Sequence, residues 1–578
     1  MRRARFAAAL ALVVGVAAMV AGSAAAHKKN PGFKTSQAAM LTPVAPGVTV
    51  EPLITVGETL PGSSYKFESI PDGIALRNRG HGYHNNGRTV DLYVNHETST
   101  VPFPFTPATG VGFNDFTNAM LSKLTVNRKT GGVLAGSYPI TSEQNYHRFC
   151  SNTIVGPREG FRRELLFTNE EATDWVFRTG TSWPAPTAPP AEQAGVVAAH
   201  DVRTGQTKSI YGMGRHNHEN SVGVPGYGHP VLLSGDDTFT APASQLYLYT
   251  ARNGRAVWND EGQLWAFVSD TAAVNDYGDL TGSASVSGHF IQVPRNIATG
   301  KKPDGSDLRA ADVGYPAPPS GVVDGPQWLL EHWSNTNNVF QFIRIEDIQY
   351  DRKHHNVVYF ADTGEPRAKA DPTTGRLKRD ATGGGPYPNG RIFKMELDRR
   401  DPTKVKSLSI LIDGDVLGAA GAGNVTLIHQ PDNVETTKNL LLFQEDPGSQ
   451  NQYPVTSTTG TTARLWGYDL KAGGAPFVIA KVDQSADEGP TDRDAATAKA
   501  NLGAWESSGV VDASKAFGKG AFLVDIQAGS LIVEEEQRGT LTYQREGGQL
   551  LLVRLQGNNG GDRHEGHGKK EGKKGGKR

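Results

Sequence analysis

Short apolar runs separated by turn residues dominate the hydrophobic pattern of this chain. Clusters of Val, Ile, Leu, Tyr and Phe recur between Gly, Pro, Asn and Asp, a pattern typical of strands joined by tight turns. We predict short helices only at 114–124, 170–177 and 495–502, a surface loop at 182–191 and a long inserted loop at 270–318. The pattern therefore predicts an all-β protein with a few short helices.

Six of the apolar runs end in polar or acidic residues. The residues at these ends are Asn95, His96 and Glu97; Asn169, Glu170 and Glu171; Gly235, Asp236 and Asp237; Asp362; Glu445 and Asp446; and Asp525. One interpretation is that these residues start turns, since Asp and Asn side chains bind nearby backbone groups. The other is that six strands deliver carboxylates and amides to the same end of a repeated structure.

The repetition favours a β-propeller of about six blades. Its units are spaced more widely than the usual blade period of about 40–50 residues, which predicts long inserted loops. The innermost strands of a propeller run side by side around a channel, so equivalent strand ends face one another. We expect residues 27–556 to form this propeller and the acidic strand ends to share one pocket.

The two ends of the chain differ from the rest in composition. Residues 1–26 combine arginines, an apolar run and the small residues Ala24-Ala25-Ala26, the organisation of a cleaved signal peptide. We therefore expect a secreted or extracytoplasmic protein without a transmembrane segment, exported by the Sec or the Tat route. The basic tail 557–578 is predicted to be disordered, with weak contact to an anionic cell envelope as the alternative to a purely solubilising role.

The net charge and the types of possible metal ligand limit the classes of function that the sequence supports. A formal net charge of -1 argues against nucleic-acid binding, which needs a basic surface. A pocket of several carboxylates stays ionised only when cations neutralise it, and oxygen donors suit calcium. The single cysteine, Cys150, is either a small buried core residue or the thiolate ligand of a softer metal such as iron or zinc.

The segment 214–220 is dense in polar residues. It lacks the His-Glu-x-x-His spacing of a helical zinc site. In an extended strand His216 and His218 share one face while Asn217 and Glu219 share the other, since successive side chains alternate. We expect Glu219 to face the channel, with a surface histidine cluster as the alternative.

These motifs, in their order along the chain, resemble the PhoX-like alkaline phosphatase family. The resemblance rests on Asn95-His96-Glu97, Cys150, Asn169-Glu170-Glu171, Gly214-Arg215, His218-Glu219, Gly235-Asp236-Asp237, Arg344-Ile345-Glu346, Pro431-Asp432-Asn433 and Ile526-Gln527. It covers most of the chain between residues 95 and 530. Asn169, Asp347 and 528–530 depart from the family pattern, and the changes at Asn169 and 528–530 leave the expected ligands in place.

The resemblance implies a β-propeller whose site holds two ferric ions bridged by oxide, together with calcium ions. It implies Cys150 as an iron ligand, Arg344 as the phosphate-contacting side chain and Glu346 as its catalytic neighbour. The metal ligands expected from the motifs are Cys150, Glu97, Glu170, Glu171, Glu219, Asp236, Asp237, Glu346 and Asp432.

The expected function is a secreted phosphomonoesterase that hydrolyses small-molecule phosphate esters at an iron and calcium site and needs no serine nucleophile. Two alternatives use the same scaffold. One is a calcium-dependent lactonase or phytase-like propeller hydrolase in which Cys150 is structural. The other is a non-catalytic extracellular protein in which calcium only rigidifies the propeller.

Overall fold

A computed structural model describes residues 30–78, 87–101, 103–106, 111–178, 191–238, 244–380, 382–421, 424–446, 461–484, 505–539 and 541–556. The predicted signal peptide at 1–26, the predicted disordered tail at 557–578 and the predicted helix at 495–502 lie outside the described residues, as does most of the predicted loop at 182–191.

Antiparallel sheets arranged around a central channel make up the fold, and they form six blades. From the channel outwards, the strands are Pro71–Arg77, Thr89–His96, Met120–Asn127 and Val133–Ile140 in blade 1; Phe149–Val155, Leu165–Glu170, Val197–His200 and Thr207–Ile210 in blade 2; His218–Gly223, Val231–Asp236, Leu246–Thr250 and Gln263–Ser269 in blade 3; Ile345–Tyr350, Val357–Asp362, Arg391–Leu397 and Lys404–Asp413 in blade 4; Pro431–Thr436, Leu440–Glu445, Arg464–Asp469 and Phe477–Val482 in blade 5; and Trp505–Asp512, Ala521–Arg538, Leu541–Leu555 and Val48–Thr55 in blade 6.

Additional short elements decorate the blades. Ser285–Gln292 joins the outer edges of blades 3 and 4, and Leu41–Pro43 adds to the outer edge of blade 5. The remaining strands are Phe103–Thr106, Val111–Asp115, Trp175–Val176, Glu192–Gln193, Ala368–Ala370 and Leu377–Arg379. The α-helices are Gly254–Trp258, Arg295–Thr299, Ala310–Val313, Pro326–Thr336 and Ser514–Phe517, and the 3-10 turns are Ser142–Gln144, Pro157–Glu159, Tyr211–Met213 and Gly418–Gly421.

The blades form a closed ring. Each innermost strand contacts the innermost strands of the two neighbouring blades, and blade 6 contacts blade 1. The early strand Val48–Thr55 is the outermost strand of the last blade, where it pairs antiparallel with Leu541–Leu555. An early and a late segment of the chain thus pair in the same sheet. The predicted all-β propeller of about six blades is confirmed.

Hydrophobic side chains fill the interfaces between neighbouring blades. Leu92 of blade 1 packs with Leu552 of blade 6, whereas its neighbour Tyr93 packs with Leu166 of blade 2. Successive side chains of a strand point to opposite faces of its sheet. The central strands are therefore buried on both faces, which explains why their sequences are apolar at successive positions.

Two predicted helices are wrong. Residues 120–124 belong to strand Met120–Asn127, which pairs with Thr89–His96, and 170–177 contains the end of one strand and the short strand Trp175–Val176. Sheet pairing with distant residues overrides the weak local preference. The predicted loop at 270–318 instead contains Ser285–Gln292 and two short helices. No helix in the described ranges is long and apolar enough to span a bilayer.

Candidate metal centre

A ring of five carboxylates and one thiol surrounds one end of the channel. Each blade contributes the second residue of its innermost strand. In blade order these residues are Asp72, Cys150, Glu219, Glu346, Asp432 and Glu506. We call this set the inner ring. Equivalent strand positions thus bring together residues that are more than 400 positions apart in the sequence.

A second set of side chains comes from the ends of the adjoining strands. Glu97, Glu171, Asp237 and Asp446 each follow the last residue of a second strand. In blades 1, 2, 3 and 5 that last residue pairs with the first residue of the innermost strand, as Pro71 does with His96. The antiparallel register therefore places these carboxylates beside the inner ring.

A β-bulge orients the ring residues in blades 1 to 5. Between the paired first and fourth residues of the innermost strand, two residues lie opposite a single residue of the second strand. The ring residue is the first of these two, and bulges redirect side chains in this way. Ile70, Arg148 and Gln430, each two positions before a ring residue, have left-handed φ values of 46°, 46° and 44°. Such non-glycine conformations concentrate at functional sites.

The single residue opposite the bulge connects neighbouring blades. Asn95 donates its amide N–H to the carbonyl of Cys150 in blade 2, and Gln444 donates to the Ser507 hydroxyl of blade 6 at 2.7 Å. In blade 3 this residue is Gly235, where a Cβ would lie 2.7 Å from the Glu346 carbonyl oxygen. The close approach of the strands therefore requires glycine here.

Ligand atoms of the two sets form a continuous series of four groups. Within each group all ligand atoms lie within 4.8 Å of one another, and adjacent groups share a residue. The groups are Asp72, Glu97 and Cys150; Cys150, Glu171 and Glu219; Glu219, Glu346 and Asp432; and Asp432, Asp446 and Glu506. This spacing permits several cations to share bridging ligands.

Burial and mutual repulsion raise the pKa values of acidic groups in the site. Burial and then the neighbouring Asp72 raise the pKa of Glu97 to about 8, and the same two causes raise the pKa of the Cys150 thiol. Burial and then Asp237 raise the pKa of Glu346 well above its usual value. Glu219 Oε2 has no hydrogen-bond partner within the described residues. Clustered carboxylates are stable as anions only when positive charge compensates them.

The donor set fits calcium together with a softer metal. Carboxylate oxygens are the ligands that calcium prefers, and a thiolate suits iron or zinc better than calcium. Cys150 lies 2.9 Å from Asp72 Oδ2 and shares a group with Glu171 and Glu219. The inner ring could therefore hold a thiolate-bound metal at blades 1 to 3 and oxygen-bound cations at blades 3 to 6.

A cavity of about 460 Å³ opens onto the ring, and Arg344 lies in its wall. Arg344 Nε and Nη2 donate to the two carboxylate oxygens of Asp237 at 2.6 and 2.5 Å, and Nη2 lies 3.2 Å from Glu346 Oε1. The Thr363 hydroxyl donates to the same Glu346 oxygen at 2.7 Å. The guanidinium is thus fixed next to the ring in a bidentate pair, the geometry that also suits a phosphate.

Most of the predicted ligands meet in this site. Cys150, Glu97, Glu171, Glu219, Glu346 and Asp432 all belong to the four groups. Asp237 lies at the edge of the ring, where both of its oxygens bind Arg344. As expected from strand alternation, Glu219 faces the channel and His218 does not; the His218 ring instead lies 3.6 Å from that of His216.

Glu170 and Asp236 were predicted as ligands and lie elsewhere. Both Glu170 oxygens bind Arg178, at 2.6 and 2.8 Å. Asp236 accepts a hydrogen bond from Thr238 and lies 3.7 Å from the His216 ring nitrogen. Successive residues point to opposite faces, so only the second acid of each adjacent pair reaches the channel.

Asp72, Asp446 and Glu506 belong to the site but are absent from the predicted ligand set. Asp446 was part of an acidic strand end and could have been included on that signal. Asp72 and Glu506 are isolated acids at the start of innermost strands. Finding them requires the rule that the second residue of each innermost strand faces the channel.

Two further acidic strand ends lie outside the four groups. Asp362 accepts backbone hydrogen bonds from Ile343 at 2.9 Å and Arg344 at 3.1 Å, which holds the segment before Glu346. Asp525 is fully buried in blade 6 and belongs neither to the cavity lining nor to the four groups. Burial and then the nearby Asp72 raise its pKa. In that blade Gln527 reaches the site and donates to Glu97 at 3.1 Å.

Comparison with known proteins adds only distant similarities. No protein-family model matches the sequence, and no curated protein matches it. Among solved structures, the Trypanosoma rangeli sialidase is 9% identical with a TM-score of 0.32, and the match covers 89% of this chain and 60% of the sialidase chain. An α-L-arabinofuranosidase from Fusarium graminearum is 9% identical with a TM-score of 0.28, and the match covers 84% of this chain and 97% of that one. The Dos1 propeller is 9% identical with a TM-score of 0.24, and the match covers 88% of this chain and 96% of the Dos1 chain. The propeller assignment rests on the sheet topology rather than on these scores.

Proposed function

We propose that this protein is an extracytoplasmic, metal-dependent phosphomonoesterase that binds its substrate at the inner ring. One observation carries the proposal: all six blades direct a carboxylate or thiol into one buried ring, with Arg344 fixed beside it. Such a ring needs cations, and cations with an adjacent arginine match the charge of a phosphate ester. The sequence resemblance to PhoX-like phosphatases and the predicted export signal at 1–26 support the same assignment.

The chain's own residues supply binding and orientation. The ring residues would hold iron through Cys150 and calcium through the carboxylates, and the bound cations would neutralise phosphate charge and provide the activated nucleophile. Arg344 would donate hydrogen bonds to the phosphate oxygens, since its orientation is fixed by Asp237. Glu346 would connect cation binding with phosphate binding, because it belongs to one of the four groups and lies 3.2 Å from Arg344.

A calcium-only hydrolase of the lactonase or phytase-like type is the second candidate. The observation that favours it is the contact between Cys150 Sγ and Asp72 Oδ2 at 2.9 Å, which satisfies a protonated thiol without any metal. In that case Cys150 is structural and the carboxylates bind calcium alone.

Metal analysis combined with activity separates these functions. The secreted protein, purified without chelator, should contain iron and calcium and should hydrolyse an aryl phosphate until a chelator is added. Glu346→Gln should lose activity and bound cations, whereas Glu396→Gln, a partly exposed carboxylate of blade 4, should keep both. Calcium without iron supports the second candidate. A cation-free protein with full activity would contradict both.

A further inference from the structure

Two arginines occupy equivalent places in the wall of the cavity. Arg344 lies two residues before the ring residue Glu346, and Arg148 lies two residues before the ring residue Cys150. Both line the same cavity, and they are the two basic side chains among its described lining residues. They approach the ring from blades 4 and 2, on either side of blade 3.

The two arginines differ in depth. The side chains of Arg344 and its partner Asp237 are 8% and 0% exposed. Arg148 forms an ion pair with Asp174, and these side chains are 19% and 32% exposed. Asp174 also lines the cavity. Arg344 therefore faces the ring from deep in the cavity, whereas Arg148 lies nearer to its opening.

The backbone holds Arg148 in place independently of its ion pair. Its φ is 46°, its N–H donates to the Thr98 carbonyl at 3.1 Å, and its carbonyl accepts from the Glu171 N–H at 2.9 Å. A non-glycine residue keeps a left-handed conformation only when its surroundings enforce it, and such residues concentrate at functional sites. The blade thus fixes the backbone of Arg148 and the direction of its Cα–Cβ bond.

Among the described residues that line the cavity, the other charged groups near the opening are acidic. Asp115, Asp174 and Glu546 are partly exposed and line the cavity together with the ring. They repel an anion everywhere except where an arginine compensates them. An anionic substrate therefore meets two favourable positions, one at the ring with Arg344 and one closer to solvent at Arg148.

We propose that Arg148 binds a second anionic group of the substrate, so that the site prefers phosphate monoesters whose alcohol part carries a carboxylate or another phosphate. This inference rests on the proposed phosphomonoesterase function. Arg148 acts here as a specificity-determining residue, because it meets the part of the substrate that is not transferred.

A matched pair of substrates tests the inference. 2-Phosphoglycolate and 2-hydroxyethyl phosphate are similar in size and differ in the second charge. The metal-loaded protein should favour the first by about tenfold in kcat/KM, the contribution expected of a charge-assisted hydrogen bond. Arg148→Gln should reduce this ratio to near one, and Arg148→Lys should keep part of it. Arg158→Gln, an exposed arginine at the opposite end of the channel, should leave the ratio unchanged.

The ratio of the two kcat/KM values distinguishes a role of Arg148 in specificity from a purely structural role. If Arg148→Gln lowers both kcat/KM values equally and keeps their ratio, or if the unaltered protein shows no preference, the inference is wrong. Calorimetric titration with the same two compounds covers the case of no hydrolysis. Tighter binding of 2-phosphoglycolate that Arg148→Gln abolishes would then support the role of Arg148 while contradicting the phosphatase function, and equal binding of both would overturn the inference.

Discussion

Cys150 is the one soft donor in a ring of carboxylates. It lies within 4.8 Å of ligand atoms on both sides, in the group with Asp72 and Glu97 and in the group with Glu171 and Glu219. The carboxylates alone provide oxygen ligands for calcium, so the choice of a second metal depends on this sulfur.

Replacing the Cys150 sulfur by oxygen should therefore change metal content selectively. We expect Cys150→Ser to retain calcium and to lose most of the iron, because a serine hydroxyl is a poor iron ligand at neutral pH while the carboxylates remain. Elemental analysis of both metals in the same preparation measures this. Iron retained at the unaltered ratio would show that Cys150 is not a ligand.

Glu192 provides a residue-scale test of stability. Burial raises its pKa, but Arg178, Arg215 and Lys301 lower it further, so the net pKa is below the usual value. Its carboxylate accepts from Arg178 at 2.8 Å and Lys301 at 2.6 Å. Removing one partner of such a buried network costs about 3 kcal/mol.

The effect of Glu192→Gln should depend on pH. A lowered pKa in the folded protein stabilises it above the unfolded pKa of about 4.5, and this contribution is lost as the pH falls through the folded value. We expect the variant to be about 3 kcal/mol less stable at pH 7, with a smaller difference at pH 4. Urea denaturation at both pH values measures it. An equal loss at both would contradict the assigned charge interaction.

At the scale of the strand, Val48–Thr55 closes the propeller. It pairs with Leu541–Leu555, and its Leu53 is fully buried in the cluster between blades 1 and 6. Leu53→Ala should lower the free energy of unfolding by about 3 kcal/mol, the typical cost of a core cavity. Glu51→Gln, on the same strand and partly exposed, serves as the control. An unchanged urea midpoint for Leu53→Ala would show that this strand does not secure the ring.

The strands were predictable where burial alone determines the pattern. Runs such as Val231–Leu233 are apolar at successive positions because both faces of the blade are covered. The incorrect prediction of a helix at 114–124 shows where prediction from the local pattern fails. That stretch has no strong period, and its strand exists because it pairs with Thr89–His96. Pairing of this kind depends on residues that local sequence does not reveal.

The candidate site was predictable to the extent that acids cluster at strand ends. Glu97, Glu171 and Asp446 follow apolar runs, so their signal is local. Asp72 and Glu506 begin their strands alone, and their role follows only from equivalence among the six blades. Glu170 and Asp236 carry the same local signal but lie on the other face of their strands, because successive side chains alternate.

For the molecule as a whole, the candidate site joins all six blades. Each blade contributes a ring residue, so cations bound there would connect strands from residue 72 to residue 506. Binding to the folded state alone stabilises it by mass action. Without cations, the raised pKa values of Glu97, Glu171 and Glu346 mean that these carboxyls keep protons that the unfolded chain has already released.

This difference in bound protons predicts that the stability of the cation-free protein and the stabilisation by cations change with pH in opposite directions. Above about pH 4.5 the unfolded chain binds fewer protons than the cation-free folded protein, so the stability of that form falls as the pH rises towards the folded pKa, about 8 for Glu97. Cations need the deprotonated ligands, so their stabilising effect increases over the same interval. We expect the difference in Tm between calcium-loaded and chelator-treated protein to be larger at pH 8 than at pH 5.5. Calorimetric scans of both forms measure it, with Glu346→Gln expected to show a smaller difference. A calcium effect that is the same at both pH values would mean that the cations do not bind to the buried carboxyls of the ring.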